Sequence, residues 1–440
     1  MKFFLTAFIF ILLSNCSFDN KTGIWKNAND TKSKKTNKFK DFKKIKTKDK
    51  VFNDIINPDK KLKIILDPVK INLNWLDEYY QNSNNLDNFS YKDTNELVFK
   101  SKKLSKNKTQ ERLLYKDQNI IVVDEKGNVI VYSIQNQQII FNYNFYKKKF
   151  KKINKELNII IEKNIVYVSD NLGYLYALDY VNQKLLWAQD YKVPFRSNIK
   201  ILNGKLFLAD INNSLYLIDK TNGEKIKIIP TEEVLIKNDF VNSLSFNKDS
   251  LFYLNTYGSL YSIGFNGKIK WFINLNQSLD INPSNLFYSN PIINHQDKLI
   301  ISTDLYLYII NSNTGSTLSK ISINTTIKPV ISGKNLFLVT NNNLLVYINL
   351  ETGKIIYSVD INQKISDFLN TKKKSLSVKT LAIVNNDLYL FLNNSYFVKF
   401  ISNGKIKSIV KLSSPPQSLP IFINKSILYL DYKNKLIINN

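Results

Sequence analysis

The chain has 440 residues with a single cysteine, and it carries 62 Lys and Arg against 36 Asp and Glu, a formal net charge of +26. One cysteine excludes an internal disulfide and a thiolate metal cluster. The charge favours an acidic partner or anionic lipid as the counterpart. It does not indicate nucleic acid, because the lysines follow no nucleic-acid-binding motif and Lys, Asn and Ile are abundant throughout, as in proteins of AT-rich genomes.

Residues 1–15 have the features of a secretory signal. Lys2 precedes an apolar run, residues 3–13, that is shorter than the about 20 residues a membrane-spanning helix needs. The run ends in Leu-Ser-Asn-Cys, which resembles the lipobox of bacterial lipoproteins. That resemblance implies cleavage before Cys16, acylation of its thiol, for example with palmitate, and, with Ser17 following, anchoring at the periplasmic face of the outer membrane. The alternative is an ordinary signal peptide with an incidental cysteine.

Residues 16–66 are predicted to form a basic, flexible and disordered tether. Residues 31–50 alone contain ten Lys and only two Asp, a composition whose self-repulsion and low apolarity oppose a packed core. Residues 67–94 form a lead-in segment, including Trp75, that the pattern leaves unassigned. It either packs on the rim of the following domain or stays mobile.

From Ile120 onward the sequence repeats. The best copy, residues 166–179, alternates apolar and polar positions on either side of an Asp-Asn-Leu-Gly turn, as a β-hairpin with one buried face requires. Eight apolar triplets open such hairpins at intervals of 37 to 52 residues. Their central residues are Val122, Tyr167, Phe207, Phe252, Ile300, Phe337, Tyr389 and Tyr429. This spacing, with about four short strands per unit, predicts an all-β fold, an eight-bladed β-propeller of four-stranded antiparallel blades.

The propeller is predicted over residues 95–440, and its last blade lacks an outer strand. After Tyr429 the chain provides only one further strand, at residues 435–438. An open ring would leave strand edges unpaired. We therefore expect residues 96–104, which have strand character, to supply the missing strand from the N-terminal side. The alternative is that they are linker and the eighth blade has three strands.

The repeats resemble the PQQ-type propeller repeat. Ala177, Asp179, the following turn and Trp187 match its pattern, while the other copies keep only parts of it. The resemblance implies that the aromatic residue locks neighbouring blades together, as Trp271 and Tyr357 would also do. These aromatic residues are structural by default.

A PQQ-like propeller behind a lipobox looks like the BamB family. This resemblance implies a non-catalytic scaffold lipoprotein of the outer-membrane β-barrel assembly (BAM) complex, a monomer within that complex and without a cofactor. Its partners would be the POTRA domains of a BamA-like barrel protein and unfolded outer-membrane proteins. The family contacts BamA through an apolar and arginine-containing loop, whose nearest match here is Phe195 with Arg196. The alternative is that these residues only turn the chain between blades.

Two other functions remain open. One is a periplasmic propeller that binds a different protein or a glycan, since propellers host many functions. The other is a PQQ-dependent dehydrogenase, which the absence of propeller cysteines and of a clustered carboxylate pair disfavours. We expect no catalytic, cofactor or metal residues. The only histidine, His295, is predicted to face solvent on an inter-blade loop, where it would not build a zinc site or a hydrolase triad.

Overall fold

The computed structural model describes residues 16–19, 24–27, 52–146, 150–233, 240–276 and 287–440. The chain divides into two compact units, residues 1–50 and 51–440. Within the first unit, strands β1 (Cys16–Asp19) and β2 (Ile24–Asn27) pair antiparallel. The sequence predicted no secondary structure in this part of the tether. The rest of the predicted signal and tether up to residue 51 lies outside the described residues.

The first four blades follow one another along the chain, each as a four-stranded antiparallel sheet in sequential order. Blade one has β5 (Leu114–Lys116), β6 (Asn119–Val123), β7 (Asn128–Ser133) and β8 (Gln138–Asn144). Blade two has β9 (Leu157–Glu162), β10 (Ile165–Asp170), β11 (Tyr174–Asp179) and β12 (Lys184–Asp190). Blade three has β13 (Lys200–Leu202), β14 (Lys205–Ala209), β15 (Leu215–Asp219) and β16 (Lys225–Ile229). Blade four has β17 (Ser243–Phe246), β18 (Leu251–Leu254), β19 (Ser259–Ile263) and β20 (Ile269–Asn274).

The remaining blades repeat this arrangement, with one helix and two N-terminal strands added. Blade five has β21 (Ile293–His295), β22 (Lys298–Ser302), β23 (Leu307–Asn311) and β24 (Thr317–Ile321). Blade six has β25 (Val330–Ser332), β26 (Asn335–Val339), β27 (Leu344–Asn349) and β28 (Lys354–Asp360), and helix α1 (Ile361–Leu369) follows it. Blade seven has β29 (Val378–Val384), β30 (Asp387–Leu392), β31 (Tyr396–Ile401) and β32 (Ile406–Lys411), with β3 (Asn88–Phe89) parallel to β29. Blade eight has β33 (Ile421–Ile423), β34 (Ser426–Leu430), β35 (Lys435–Asn439) and β4 (Leu97–Lys103).

The ring closes through its two ends, as the sequence predicted. Strand β4 pairs antiparallel with β35, so that Leu97 lies opposite Asn439 and Lys103 opposite Lys435. The N-terminal strand thus becomes the outer strand of the C-terminal blade. The predicted all-β, eight-bladed propeller is confirmed. Without β4, strand β35 of blade eight would have an unpaired outer edge, which explains why two distant parts of the sequence are held together.

In several blades the turn between the second and third strands begins with an Asp or Asn whose side chain accepts hydrogen bonds. The Asp170 carboxylate accepts hydrogen bonds from the backbone N–H groups of Leu172 (2.9 Å) and Tyr174 (2.8 Å), and Gly173 there has φ +96°. Equivalent turns begin at Asp124, Asp210, Asn255 and Asp431. A side-chain oxygen two residues before a free N–H stabilises such turns, which is why Asp and Asn recur at this point of the repeat.

Aromatic side chains on outer strands lock neighbouring blades together. Trp187 of blade two donates its ring N–H to the Lys220 carbonyl (3.0 Å), and its ring covers Gly223 in blade three. Trp271 makes the same contact with Ser312 and Gly315 in blade five. Tyr357 of blade six bonds the carbonyl of Ser402 in blade seven (2.7 Å). The structural role predicted for these aromatic residues is confirmed.

The blades have two distinct ends. Because strands alternate in direction, the turns between first and second strands, and between third and fourth strands, lie at one end, called here the hairpin end. The turns between second and third strands and the connections between blades lie at the other, called here the loop end. Backbone bonds such as Lys155 N–H to Glu125 (2.8 Å) and Phe195 N–H to Asp170 (2.9 Å) join these two kinds of loop.

The propeller unit includes part of the segment that the sequence assigned to the tether, which was predicted to end at residue 66. Ile56 exchanges two backbone hydrogen bonds with Ser358 of β28, at 3.0 and 2.9 Å, and the Ile65 carbonyl accepts one from the Asn335 amide (2.7 Å). Leu62, Ile64 and Leu66 pack against the main hydrophobic core. Residues 52–66, assigned from composition to the tether, therefore run along blade six. Their alternation of Lys with Leu and Ile is the pattern of a half-buried extended chain.

Candidate functional site: a plugged channel

Residues 67–91, called here the plug, lie in the central channel that propeller blades surround. The first strand of each blade lines this channel, and we call these eight strands the inner strands. The plug is hydrogen-bonded to every one of them. Its partners, from blade one to blade eight, lie at Tyr115, Ile161, Lys200, Leu244, Asn294, Ile331, Ile383 and Phe422. The lead-in segment that the sequence left unassigned is thus an internal part of the ring.

Asparagine side chains make many of these contacts. The amide of Asn84, which is fully buried, donates to the carbonyls of Leu244 (2.9 Å) and Ile292 (2.8 Å). The Asn85 amide donates to Ile331 (3.0 Å), and the Asn72 amide donates to Phe422 (2.9 Å). Buried backbone carbonyls need a partner, and where an irregular segment does not offer a backbone N–H, its side chains can supply the donor. Asn84 has φ +59°, a conformation that asparagine tolerates better than most residues.

Aromatic side chains anchor the plug to the ring. Trp75 is 6% exposed, and it exchanges two backbone hydrogen bonds of 2.8 Å with Tyr115 of β5. Its ring lies 4.6 Å from that of Tyr80. Phe89 is fully buried and stacks on Phe422 of the inner strand of blade eight, with ring centroids 5.3 Å apart. Burying such rings stabilises the folded chain by removing large apolar areas from water.

A buried ion pair lies at the centre of the plug. The Lys200 ammonium has no solvent exposure, and it donates to Asp77 Oδ2 (2.6 Å), Asn84 Oδ1 (2.7 Å) and the Gln81 carbonyl (2.6 Å). All three protons of the ammonium therefore have acceptors. Burial lowers the pKa of Lys200, and the Asp77 carboxylate partly opposes that shift. The pair is fully compensated only while the plug stays in the channel.

A second charged group lies beside this pair. Glu78 accepts a hydrogen bond from the Ile159 N–H (2.9 Å), but its Oε2 atom has no hydrogen-bond partner among the described residues. Burial raises the pKa of Glu78 to about 7. The Arg112 guanidinium lies 4.3 Å from the centre of the Tyr79 ring. Lys328 donates to the carbonyls of Tyr79 (3.0 Å) and Asn84 (2.7 Å), and burial lowers its pKa to about 7.

A cavity of about 920 Å³ opens at the hairpin end, between the plug and the turns of blades two to four. Asparagine amides and aliphatic side chains form most of its lining. Both carboxylates among its lining residues are already paired, Asp77 with Lys200 and Glu162 with Lys220 at 2.5 Å. The geometry suits binding rather than proton transfer, because these carboxylates face ammonium groups and not each other.

Exposed aliphatic side chains border this cavity. Ile65, Val69, Ile71 and Leu73 stand on the outer side of the chain as it enters the channel, and they are 85, 40, 53 and 62% exposed. Of the residues between them, Leu66 and Asn72 are half-buried, whereas Asp67, Pro68 and Lys70 are exposed as well. The four aliphatic side chains are therefore separate exposed groups along one extended segment.

Phe195 and Arg196, predicted to bind a partner, lie in the connection between blades two and three. The Phe195 ring is 2% exposed and packs edge-on against Tyr191 and Tyr216, with centroids 5.3 and 5.6 Å away. Arg196 donates to Asn213 Oδ1 (2.9 Å) and to Thr256 Oγ1 (2.5 Å). Both side chains therefore join neighbouring blades. Their role in partner binding is untested and stays a prediction.

The other candidate residues are placed as follows. Cys16 begins β1, and its acylation stays a prediction. The sequence predicted that His295 faces solvent on an inter-blade loop. This prediction is wrong, because His295 is half-buried at the end of the inner strand β21. Its Nε2 lies 2.8 Å from the Gly333 carbonyl, and burial lowers its pKa. Within the described ranges, no group of three or more His, Cys, Asp and Glu is placed to hold a metal ion. Among the same residues, no helix is both long and apolar enough to cross a bilayer.

Sequence reasoning missed the plug because the segment has no periodicity. One signal was available, since residues 75–91 concentrate Trp75, three tyrosines and Phe89 among asparagines. Aromatic residues at this density are typical of buried chain, whereas a tether is depleted in them. The partners of these side chains come from all eight blades, and no local pattern specifies that.

Comparison with known proteins places the fold among propellers. No protein-family model and no curated protein matches the chain. BamB from Moraxella catarrhalis is similar in structure, with a TM-score of 0.61 and 11% identity, over 78% of this chain and 99% of that one. A europium-containing methanol dehydrogenase has a TM-score of 0.61 and 11% identity, over 83 and 89% of the two chains. The quinohemoprotein alcohol dehydrogenase of Comamonas testosteroni has a TM-score of 0.61 and 9% identity, over 83 and 80%.

At this identity the likeness is one of fold alone. The predicted BamB-like, eight-bladed propeller is confirmed, and the same ring is shared with dehydrogenases. What the ring does must therefore be argued from its own residues.

Proposed function

We propose that this protein is a non-catalytic scaffold that binds other proteins during the assembly of outer-membrane β-barrels. The observation that carries this proposal is the plug. Its 25 residues, from 67 to 91, are hydrogen-bonded to the inner strands of all eight blades and fill the middle of the ring. A small molecule could occupy the middle of the channel only by displacing Trp75, Phe89 and the Lys200–Asp77 pair. The surfaces that remain for binding are the loops and the two ends of the ring.

The similarity in fold to BamB supports a protein-binding scaffold. The buried charges support a ring that stays rigid when a partner binds. A compensated buried ion pair resists rearrangement, because separating its partners leaves a charge without a counterpart. A rigid ring presents loops in fixed positions, which favours docking of a partner without a large ordering cost. In this proposal the anchor is acylated Cys16, and the ring faces the periplasm from the outer membrane.

The partner proposed is a BamA-like barrel protein bound through its POTRA domains, with unfolded barrel proteins as transient clients. The connection that carries Arg196 is the proposed contact. Because the Arg196 side chain also joins Asn213 and Thr256, a charge reversal there tests folding as well as binding. Lys192 lies in the same connection and is exposed, paired only with its neighbour Asp190. Lys192→Glu therefore probes the surface without disturbing the contacts between blades.

A pull-down tests the proposal. The tagged chain is solubilised from its own membranes in mild detergent, and mass spectrometry identifies what co-purifies. A large barrel protein with POTRA domains is the expected partner. Lys192→Glu should reduce its recovery severalfold, while Lys60→Glu, at an exposed site near the start of the unit, should not. Recovery of the ring without any barrel protein would contradict the proposal.

A separate assay addresses the dehydrogenase alternative. The purified chain is incubated with pyrroloquinoline quinone, calcium, an alcohol and an electron-accepting dye. The scaffold proposal expects no alcohol-dependent dye reduction above that of quinone alone, because the plug occupies the channel. Alcohol-dependent turnover would establish an enzyme and overturn the non-catalytic assignment.

A further inference from the structure

The loop end of the ring has one sector with an unusual surface. We define the basic sector as the loop end of blades seven, eight and one, together with the connections that enter blades seven and two. It includes α1 and the turn at residues 431–434. Its parts are in contact with one another. The Asn434 amide donates to the carbonyls of Ser105 (3.0 Å) and Asn107 (2.6 Å), and Lys379 contacts Gln417.

Large apolar side chains stand exposed in this sector. Helix α1 buries Ile361 and Ile365 against the ring but leaves Phe368 and Leu369 at its C-terminal end 47 and 49% exposed. Tyr432, at the tip of the turn in blade eight, is 64% exposed. Ile153, in the connection into blade two, is 44% exposed. These side chains lie at a helix end, in a turn and in a connection rather than along a strand, and we call these places the apolar tips.

Lysines flank every one of these apolar tips. Residues 372–374 are three consecutive exposed lysines directly after α1, and Lys433 follows Tyr432. Lys151 and Lys152 precede Ile153. Of these, Lys373 is paired with Asp360 at 2.5 Å. Lys106 and Lys108 extend the same basic surface before blade one. Exposed carboxylates are fewer in this sector, at Glu111, Glu156 and Asp367.

The opposite part of the loop end has a different charge. The connections and turns of blades two to five carry Asp190, Glu232, Glu233 and Asp304, with Lys192, Arg196 and Lys328 as the cations among their described residues, and Lys328 is turned toward the plug. The excess of lysine is therefore a property of one side of the loop end and not of the whole face. A composition bias of the genome alone would enrich both sides equally.

We infer that the basic sector docks on an anionic lipid membrane surface. Exposed Phe, Leu and Tyr at tips, each beside lysines, match the way peripheral proteins insert apolar side chains between headgroups while ammonium groups meet the lipid charge. A protein partner is the less suitable occupant, because the centres of protein interfaces are depleted in lysine and are smooth enough to exclude water. This contact is distinct from a lipid anchor at Cys16. It would orient the ring with its loop end toward the bilayer and its hairpin end away from it.

The test uses the full chain with Cys16→Ser, which removes its only thiol and any acyl chain. Phe368→Cys is then labelled with a polarity-sensitive dye. Val181→Cys is the matched control, since Val181 is 55% exposed on a turn at the hairpin end. Each is mixed with vesicles of phosphatidylcholine containing phosphatidylglycerol, or of phosphatidylcholine alone. Both proteins share the same N-terminal residues, so any insertion of the apolar leader contributes equally.

We expect a blue shift of the dye at position 368 with anionic vesicles, lost at high salt, and none at position 181. Lys372→Glu with Lys374→Glu should lower the vesicle affinity about tenfold or more, because each basic residue near an anionic surface contributes on the order of 1 kcal/mol. Circular dichroism checks that the ring remains folded. Equal shifts at both positions, or none with anionic vesicles, overturn the inference. Binding of polyglutamate in place of vesicles assigns the sector to an acidic protein and overturns it as well.

Discussion

The blades and the plug of this protein combine regular structure and burial in opposite ways. The blades are regular, and yet their outer strands are largely solvated, as in β16, where four of five residues are exposed. The plug contains only the two-residue strand β3, and yet Trp75, Asp77, Tyr80 and Phe89 are all nearly inaccessible. Regular secondary structure and burial are therefore separate properties in this fold. The ring supplies eight inner strands, and an irregular chain satisfies what they leave unpaired.

The difference predicts where substitutions cost most. In the blades, backbone hydrogen bonds between strands surround each side chain. These bonds remain when one side-chain contact is lost. In the plug, side chains make several of the hydrogen bonds to the ring, so the loss of one such group leaves buried polar atoms without partners.

Lys200→Met removes the ammonium at the centre of the plug. It leaves the buried Asp77 carboxylate and the Asn84 oxygen without their donor, and we expect a loss of about 3–5 kcal/mol in the free energy of unfolding. Urea denaturation followed by tryptophan fluorescence measures this loss. Lys205→Met is the matched control in the next strand of blade three, and it should cost less than about 1 kcal/mol.

The double variant Lys200→Met with Asp77→Asn sharpens this test. Neutralising the carboxylate removes the unpaired charge, so part of the lost stability should return. A double variant less stable than Lys200→Met would contradict a direct ion pair.

Gly223→Ala tests the locking of blades by Trp187. Gly223 has φ +74°, and a Cβ there would lie 2.5 Å from the Trp187 ring. Gly204 has a similar φ of +76°, but a Cβ there would meet no atom within 4 Å. Gly204→Ala therefore measures the backbone cost alone. We expect Gly223→Ala to destabilise the ring by about 1–3 kcal/mol more than Gly204→Ala in thermal unfolding. Equal costs would show that the tryptophan does not press on this turn.

Glu78→Gln tests the buried carboxyl of the plug through pH. Burial raises the pKa of Glu78 to about 7, against 4.5 in its ordinary state, so the folded protein holds this proton where the unfolded chain has lost it. The stability of the natural protein should therefore fall as the pH rises from about 4.5 to about 7 through this group. Gln cannot ionise and keeps an oxygen for the Ile159 N–H.

We expect Glu78→Gln to be nearly neutral at about pH 5 and to stabilise the ring by on the order of 1–3 kcal/mol at about pH 8. Urea denaturation of both proteins at the two pH values gives the comparison. Lys328 titrates in the same range and is unchanged in both proteins, so the difference between them isolates Glu78. A stabilisation that is the same at both pH values would contradict the raised pKa.

The regular part of the molecule could be predicted from the sequence, because each blade is encoded locally. Period-two alternation, Asp and Gly at turns, and the spacing of triplets such as Val122, Tyr167 and Phe207 specify strands one blade at a time. Even the closing strand followed from counting, since the last blade was one strand short and residues 96–104 were available.

The plug could not be predicted, because its structure is determined by partners far away in the chain. Lys200 looked like an ordinary strand lysine, and its role depends on Asp77, 123 residues earlier. Phe195 and Arg196 illustrate the reverse case. The family resemblance implies that they contact a partner, which stays a prediction, and the structure adds that packing against Tyr216 and a hydrogen bond to Thr256 use the same side chains between blades. Long-range contacts of this kind leave no periodic trace.

Hydrogen exchange of the backbone amides tests the plug most directly. The amides of Lys70, Trp75 and Tyr80 donate to backbone carbonyls at 2.7, 2.8 and 3.2 Å, and Trp75 is bonded to the inner strand of blade one. If the plug is an integral part of the ring, peptides covering residues 70–91 should exchange as slowly as those of inner strands such as β29 and β33. Exchange of this segment at the rate of an unstructured chain, while the inner strands stay protected, would contradict a plugged channel.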